Sequence, residues 1–285
     1  MIDTDVKFRH ILKLLDDESP EIQRIIRNTL LDNSPEIILG DFLVRLDEDS
    51  YDAQLLKETL EEIHFDLVYS AFTRLFQRQL EDIDLEKAVL LLAFWNNPGL
   101  DTLQTRNQLE QLADPIRFLL PESPHPLSFI DHLSYYLFKE YGFHGNSADY
   151  YNPDNSFIDK VLENRTGIPI SLSVLTMLVS ARLQFHLIGV PMPAHFILKY
   201  ENGDDEVFFD PFYGGKVYSR LECIHYLKQA KVENPDEILN GCTNVQILER
   251  MMRNIHLVYT SYKDIPQKAG EILQILELLE KTFNE

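Results

Sequence analysis

The short segment Pro121–Pro126 divides the chain into two stretches whose hydrophobic residues recur with different periods. It reads Pro-Glu-Ser-Pro-His-Pro, and prolines at this density interrupt regular secondary structure. The stretch before it has the spacing of successive amphipathic helices, whereas the stretch after it mixes helical spacing with short apolar runs typical of strands. A chain of 285 residues has room for two such regions. The sequence therefore predicts an α+β protein with an all-helical N-terminal region.

The N-terminal region contains two similar helix-start signals. Ser19 precedes Pro20 and Ser34 precedes Pro35. Serine is a common N-cap, and proline is favoured at the first helical position. The 15-residue offset between the two pairs indicates a short helical repeat, similar to the HEAT type. We predict that residues 1–125 form a helical, HEAT-like region.

The second stretch contains a clear hairpin signal. Ala194–Tyr200 and Glu206–Asp210 are rich in residues that favour strands, and Asn202-Gly203 lies between them. Asn-Gly between two such runs is among the strongest short-range signals for a β-hairpin. We therefore predict a small antiparallel sheet whose tight loop comprises residues 202–205.

The register of this hairpin decides whether two polar residues meet. If Glu201 lies opposite Glu206, then His195 and Asp210 are diagonal neighbours on one face, with Cα atoms about 7–8 Å apart. Asp210 could then orient the imidazole ring, as the acid of a catalytic triad does. The alternative is that His195 is a packed strand residue and that Asp210 forms the turn before Pro211.

Two hydroxyl residues stand where the most apolar helix of this stretch begins. Ser171 and Ser173 follow Pro169 in a segment that we predict to be helical as far as about Leu183. A nucleophile at a helix start is favoured by the positive end of the helix dipole. A serine nucleophile also needs an adjacent base, however. From the residues alone we favour a capping role for Ser171 and burial for Ser173.

The cysteines and the local motifs do not indicate a metal or cofactor site. The chain has two cysteines. Cys223 lies on an amphipathic segment and is predicted to be a core residue, and Cys242, beside Gly241, has no histidine or other base nearby in sequence. CxxC, HExxH and glycine-rich phosphate-loop motifs are absent from the sequence. We expect no cofactor and no metal. So few cysteines favour a reducing compartment, and we predict a cytoplasmic protein.

The charge of the chain excludes some classes of partner. Its formal net charge is −20, with 26 Lys and Arg against 46 Asp and Glu. Such a surface repels nucleic-acid phosphates and anionic lipids unless a basic patch is present, and the sequence shows none. No apolar run approaches 18 residues, and the first residues are acidic where a signal peptide would be basic. We expect neither nucleic acid nor a membrane as partner.

Several segments between residues 129 and 215 together resemble one bacterial family. These segments are Tyr141–Asn146, Tyr151–Ser156, Val161–Ser173, Gly189–Phe196 and Phe209–Gly215. They resemble the SirB-type proteins, in which a divergent transglutaminase-like core is usually followed by tetratricopeptide-like helices. The resemblance implies a papain-like core over residues 126–242 and a C-terminal helical hairpin over residues 243–285 that docks on it.

The resemblance also implies roles for individual residues. It places His195 and Asp210 at the superfamily's His and Asp positions. Catalytic members carry a cysteine at the helix start, and residues 167–173 contain none. Ser171 is the nearest hydroxyl, although a shift of two residues would place Pro169 or Ser173 there.

The polar, aromatic loop before this helix is a candidate cleft wall. We predict that Tyr151, Asn152 and Asn155, together with Arg165, line the cleft. The alternative for Asn152–Asn155 is turn chemistry that caps the next helix.

Three functions follow from this interpretation. The first is a non-catalytic transglutaminase-like module that binds an unknown protein or peptide in the cleft. The second is a hydrolase or acyl-transferase that uses Ser171, His195 and Asp210 as nucleophile, base and orienter. The third is a purely structural role, in which His195 and Asp210 form a stabilising pair.

Overall fold

The computed structural model describes residues 11–40, 51–78, 82–121, 125–202, 205–261 and 265–283. Helices dominate, and the strands are short and lie in the second half of the chain, so the predicted α+β class is confirmed. The chain divides into two compact units, Met1–Gln104 with Glu277–Glu285 and Thr105–Leu276. The predicted division at residues 125 and 242 stays a prediction, and residues 122–124 of the linker lie outside the described ranges.

All the regular secondary structure in the described residues of the first unit is helical. Its most buried helix is capped by Asp84, whose Oδ1 accepts a hydrogen bond from the backbone N–H of Lys87 at 3.1 Å. This helix buries residues on every face, so it forms the centre of the unit's core. The helices are α1 (Pro20–Asp32), α2 (Ser34–Leu39), α3 (Tyr51–Glu62), α4 (His64–Arg78) and α5 (Leu85–Asn96).

The two Ser-Pro signals of this unit differ in the structure. Ser19 is the N-cap of α1, as predicted, and Pro20 is its first residue. Ser34, in contrast, lies inside α2 and is buried, and Asn33 occupies the N-cap position. The prediction that Ser34 caps its helix is therefore wrong, because α2 begins one residue earlier than expected. The HEAT-like repeat itself stays a prediction.

The second unit combines helices with two small sheets. A four-stranded antiparallel sheet has the order β3-β4-β5-β6, and a two-stranded parallel pair is formed by β1 and β2. The strands are β1 (His144–Gly145), β2 (Thr166–Gly167), β3 (Ile188–Val190), β4 (Ile197–Asn202), β5 (Asp205–Asp210) and β6 (Lys216–Tyr218). The helices are α6 (Thr102–Arg117), α7 (Pro126–Ser134), α8 (Ile158–Asn164), α9 (Pro169–Arg182), α10 (Arg220–Gln229), α11 (Pro235–Leu239), α12 (Asn244–Ser261) and α13 (Pro266–Phe283). Residues 102–104 of α6 and 277–283 of α13 belong to the first unit.

The core of this unit lies on both sides of the four-stranded sheet. Helix α9 is buried on nearly all of its faces, which explains why its residues up to Ala181 are apolar or carry only a hydroxyl group. A hydrophobic cluster joins the sheet to α10 and α11. It comprises Val190, Met192, Ile197, Phe208, Cys223, Leu227 and Leu239. The predicted pair of C-terminal helices is present as α12 and α13.

No helix in the described ranges combines the length and the apolar character needed to cross a membrane.

Candidate functional site

The predicted hairpin register is confirmed. Glu201 pairs with Glu206 and Leu198 with Phe209. The predicted loop of residues 202–205 is too long, because Asn202 and Asp205 pair as strand residues. Residues 203–204 lie outside the described ranges. Strand β4 begins at Ile197, however, and not at Ala194 as predicted. Ala194 has a φ of 54°, a left-handed backbone conformation that a strand cannot contain. His195 therefore lies at the end of a turn, two residues before the strand.

His195 and Asp210 form a close hydrogen-bonded pair. The His195 Nε2 atom lies 2.6 Å from the Asp210 Oδ2 atom. The carboxylate can only accept, so Nε2 carries the proton. The His195 side chain is 20% exposed and that of Asp210 is 1% exposed. The aspartate is thus shielded from water, whereas part of the imidazole ring reaches the surface.

The second carboxylate oxygen of Asp210 stabilises the turn that follows β5. Its Oδ1 atom accepts hydrogen bonds from the backbone N–H groups of Phe212, at 3.0 Å, and Tyr213, at 3.3 Å. These bonds cap a single 3₁₀ turn over Pro211–Tyr213. Orienting the imidazole and forming the turn were alternative interpretations of Asp210. In the structure one carboxylate does both.

The Ser171 hydroxyl faces the loop that precedes its helix. The Ser171 Oγ atom accepts a hydrogen bond from the N–H of Ile168 at 3.0 Å and donates to the carbonyl oxygen of Asn155 at 2.5 Å. Ser171 is buried and makes no hydrogen bond with His195. The structure therefore assembles the histidine–aspartate half of the predicted triad and leaves the hydroxyl out.

Ser171 does not occupy the N-cap position. Helix α9 starts at Pro169, so Ile168 is the N-cap and Ser171 the third helical residue. From there its hydroxyl reaches back to the N-cap N–H, as the third residue of a capping box does. Ser173 is fully buried, as predicted, and its Oγ has no hydrogen-bond partner among the described residues.

Neither cysteine belongs to α9. Cys223 is on α10 within the sheet-side core, and burial raises the pKa of its thiol to about 11. The Cys242 thiol donates to the carbonyl oxygen of Gly189 at 3.3 Å. A thiol with a raised pKa is a poor nucleophile at neutral pH. The predicted core role of Cys223 therefore agrees with its surroundings.

The buried Asn155 side chain forms hydrogen bonds within the predicted cleft loop. Its Nδ2 atom donates to the carbonyl oxygens of Asp149, at 2.7 Å, and Tyr150, at 3.2 Å. Its Oδ1 atom accepts from the Asn146 side chain at 3.0 Å. The backbone oxygen of the same residue accepts from Ser171, so the loop and the start of α9 are joined at Asn155.

The other predicted cleft residues have varied surroundings. Asn152 caps the 3₁₀ turn Pro153–Ser156 by accepting from the N–H of Asp154 at 3.0 Å, which is the turn chemistry of the alternative interpretation. Tyr151 is 67% exposed. Arg165 ends α8 with a φ of 57° and donates to the carbonyl oxygen of Tyr141 at 2.7 Å. Their role as a cleft wall stays a prediction.

A row of aromatic rings continues from the loop to the His195 ring. Tyr150 lies 5.4 Å from Tyr151 and 6.4 Å from Phe212, measured between ring centroids. The His195 ring is 6.0 Å from Phe212 and 5.7 Å from Tyr213. We call these five residues the aromatic row. The contribution of the loop tyrosines depends on tertiary packing, because they are distant from His195 in the sequence.

Within the described residues, no group of three or more His, Cys, Asp or Glu side chains is arranged to hold a metal ion.

Comparisons with known proteins agree on one family. A family model described as the transglutaminase-like superfamily matches residues 103–253. A UPF0162 protein of Xylella fastidiosa strain 9a5c is 34% identical over 206 residues, which cover 70% of this chain and 73% of that protein. The UPF0162 protein PA3419 of Pseudomonas aeruginosa is 29% identical over 127 residues, 44% of each chain.

A similarity also extends to a much longer animal protein. F-box only protein 21 of Mus musculus is 35% identical over 135 residues, which cover 44% of this chain and 21% of that protein. No solved structure matches the chain. The matched family segment includes Ser171, His195 and Asp210 and extends into α12.

Proposed function

Because this chain belongs to the transglutaminase-like superfamily, we propose that it is a non-catalytic member that binds a peptide or a protein segment beside His195 and Asp210. The proposal has two parts, absence of turnover and presence of binding, and each part depends on different observations. The partner would be a protein or peptide and not nucleic acid or a membrane, in keeping with the net charge of −20.

The single observation that carries the proposal is the orientation of the Ser171 hydroxyl. The helix start has no cysteine, and its nearest hydroxyl is hydrogen bonded to Asn155 and Ile168. To reach an imidazole, Ser171 would have to abandon buried backbone partners, which costs about 1–3 kcal/mol for each group left unsatisfied. A nucleophile must instead share a hydrogen bond with its base. The geometry therefore favours a structural role for Ser171.

The aromatic row supports the binding part. Tyr151 and Tyr213 are 67% and 63% exposed, and the rings between them connect to His195. Exposed tyrosines supply large contact areas at little cost in conformational entropy, and they are frequent in protein-binding surfaces. The presence of a similar segment as 21% of F-box only protein 21 is consistent with a module that occurs within longer proteins.

The proposal also includes membership of the SirB type and a cytoplasmic location. The segments of residues 141–215 resemble SirB-type proteins, and we keep that assignment together with a cytoplasmic location. The tetratricopeptide-like helices associated with that type would correspond to α12 and α13.

One observation favours the hydrolase alternative. The His195 Nε2 to Asp210 Oδ2 distance of 2.6 Å is that of an oriented base, and the imidazole is 20% exposed. A hydrolase would need the Ser171 hydroxyl to be brought to the other ring nitrogen, and it would also need hydrogen-bond donors for the oxyanion. The two functions differ in whether Ser171 contributes to turnover.

The test measures hydrolysis and binding on the same protein. Ester and peptide substrates are assayed with the wild type, Ser171→Ala and His195→Gln, and we expect no variant to differ from the wild-type background. A peptide array then identifies ligands, and we expect Tyr213→Ala to weaken their binding at least tenfold. Tyr51→Ala is the matched control, because Tyr51 is 68% exposed and lies in the other unit.

Two results would contradict the proposal separately. Loss of a measurable hydrolysis in Ser171→Ala would establish the hydrolase alternative. Equal binding by Tyr213→Ala and Tyr51→Ala would exclude the aromatic row as the binding surface.

A further inference from the structure

The turn that carries His195 has an unfavourable backbone conformation. The N–H of His195 donates to the carbonyl oxygen of Met192 at 3.1 Å, which closes a tight turn over residues 192–195. Within it Ala194 has a φ of 54°, in the left-handed region that alanine rarely adopts. Such a conformation persists only when its surroundings impose it. The contacts around this turn should therefore include those that impose the left-handed conformation of Ala194.

Side chains from two helices bind three carbonyl oxygens of this turn. The Arg250 Nη2 atom, on α12, donates to the carbonyl oxygens of His195, at 2.6 Å, and Met192, at 3.2 Å. The Tyr226 hydroxyl, on α10, donates to the carbonyl oxygen of Pro193 at 2.8 Å. These hydrogen bonds hold both ends and the middle of the turn. Both donors are far from the turn in the sequence.

Arg250 is unusual among the arginines of this acidic chain. Burial lowers its pKa, and within the described chain it forms no ion pair with a carboxylate. Its guanidinium lies 5.4 Å from the ring of Phe196, the residue after His195. The polar contacts of this half-buried cation thus go to backbone oxygens, which is the contact pattern of a side chain that fixes geometry.

We infer that Arg250 and Tyr226 are positioning residues that hold the Met192–His195 turn in its left-handed form and so place the His195 ring on Asp210. The inference concerns how the pair is built and holds whether or not the site binds a peptide. It also assigns α12 a role in the candidate site, although α12 contributes no side chain to the aromatic row.

The readout is the proton on His195 Nε2. A proton held between an imidazole and a carboxylate at 2.6 Å exchanges slowly and resonates downfield of the backbone amides in ¹H NMR. His195→Gln assigns the signal by removing it. We expect Arg250→Met to abolish the signal or broaden it beyond detection. We expect Tyr226→Phe, which removes a single hydroxyl, to increase its exchange rate severalfold.

Matched variants separate positioning from a general loss of stability. Arg253→Met makes the same change three residues away on α12, where the guanidinium binds Glu249 at 2.8 Å, and should leave the signal unchanged. Tyr135→Phe removes a surface hydroxyl that donates to Glu140, and it too should have no effect. Adding Ala194→Gly to Arg250→Met should restore part of the signal, because glycine adopts the left-handed conformation without strain.

The inference is overturned if folded Arg250→Met and Tyr226→Phe both keep the downfield signal with wild-type shift and exchange rate. If Arg250→Met does not fold, Tyr226→Phe decides by itself: an unchanged signal rejects the inference, and faster exchange supports it. A loss of signal in Arg253→Met equal to that in Arg250→Met also rejects it, because the effect would then not depend on contact with the turn.

Discussion

The start of α9 and the end of the β4–β5 hairpin use their polar side chains in opposite ways. At the start of α9 the Ser171 hydroxyl is buried and bound to the backbone of its own helix start and of the preceding loop. At the end of the hairpin the His195 ring is bound to one carboxylate oxygen, and its Nδ1 atom has no hydrogen-bond partner among the described residues. The Ser171 hydroxyl thus stabilises the fold, whereas the oriented His195 ring is partly exposed at the surface.

This difference explains why the site has the histidine–aspartate pair of a catalytic triad but no nucleophile bonded to it. Asp210 has a structural task in the 3₁₀ turn as well as its bond to His195, so its presence does not require catalysis. An oriented histidine without a nucleophile can still bind a ligand through its ring. The comparison is therefore best tested by changing each region and measuring stability as well as turnover.

The largest effect is expected for Asp210→Ala. The substitution leaves a buried imidazole N–H and two backbone N–H groups without their acceptor, and we expect a loss of about 3–5 kcal/mol in the free energy of unfolding. Urea denaturation measures it. Asp210→Asn keeps an acceptor for the turn and should cost clearly less. Equal losses for the two variants would show that the turn bonds contribute little.

Gly145→Ala tests the packing of β1 against Phe212, beside the His195 ring. A Cβ atom at Gly145 would lie 2.5 Å from the ring of Phe212, which packs against His195. We expect a loss of about 1–3 kcal/mol from overpacking, together with a change in the environment of the His195 ring by NMR. Gly270→Ala is the matched control. Gly270 is exposed within α13 with nothing near its added methyl group, so this change should stabilise by about 0.5–1 kcal/mol.

The hydroxyls of α9 offer a comparison two residues apart. Ser171→Ala removes a bonded hydroxyl and should lower the free energy of unfolding by about 1–2 kcal/mol. Ser173→Ala removes a buried hydroxyl without a partner in the described structure, so it should be neutral or slightly stabilising. Thermal and urea unfolding compare the two. A larger loss for Ser173→Ala would mean that the structural roles are reversed.

The smallest effect concerns the remaining thiol chemistry. With a pKa of about 11, Cys223 is about 0.1% thiolate at pH 8, and it is buried as well. We expect iodoacetamide to leave Cys223 unmodified in the native protein and to label it in urea, as measured by peptide mass spectrometry. Rapid labelling of Cys223 in the native protein would show that its thiol is reactive and would make it a candidate nucleophile.

The same thiol predicts a pH dependence. Its folded pKa lies above the ordinary value near 9, so its contribution to stability is complete below pH 9 and is lost as the pH rises towards about 11. Cys223→Ala should show a smaller loss of stability between pH 9 and 11 than the wild type. Identical losses would mean that the thiol is not the group responsible.

The sequence alone determined the α+β class and the hairpin register. Both depend on local signals, because the Asn-Gly loop sets the pairing and the period of two then places each strand side chain on a face. The contact of His195 with Asp210 was one of two alternatives, because His195 lies in the turn before β4, where the strand period does not apply. The burial of Ser173 and Cys223 followed from apolar periodicity in the same way.

Only the tertiary structure decided the direction of the Ser171 hydroxyl, the left-handed turn before β4 and the contacts of Arg250. Ser171 binds a carbonyl 16 residues away, and Arg250 binds one 55 residues away. A serine two residues after a proline is compatible with several rotamers and cap positions, and the choice among them depends on which backbone group packs nearby. Such partners come together only when distant segments fold, so no local pattern in the sequence specifies them.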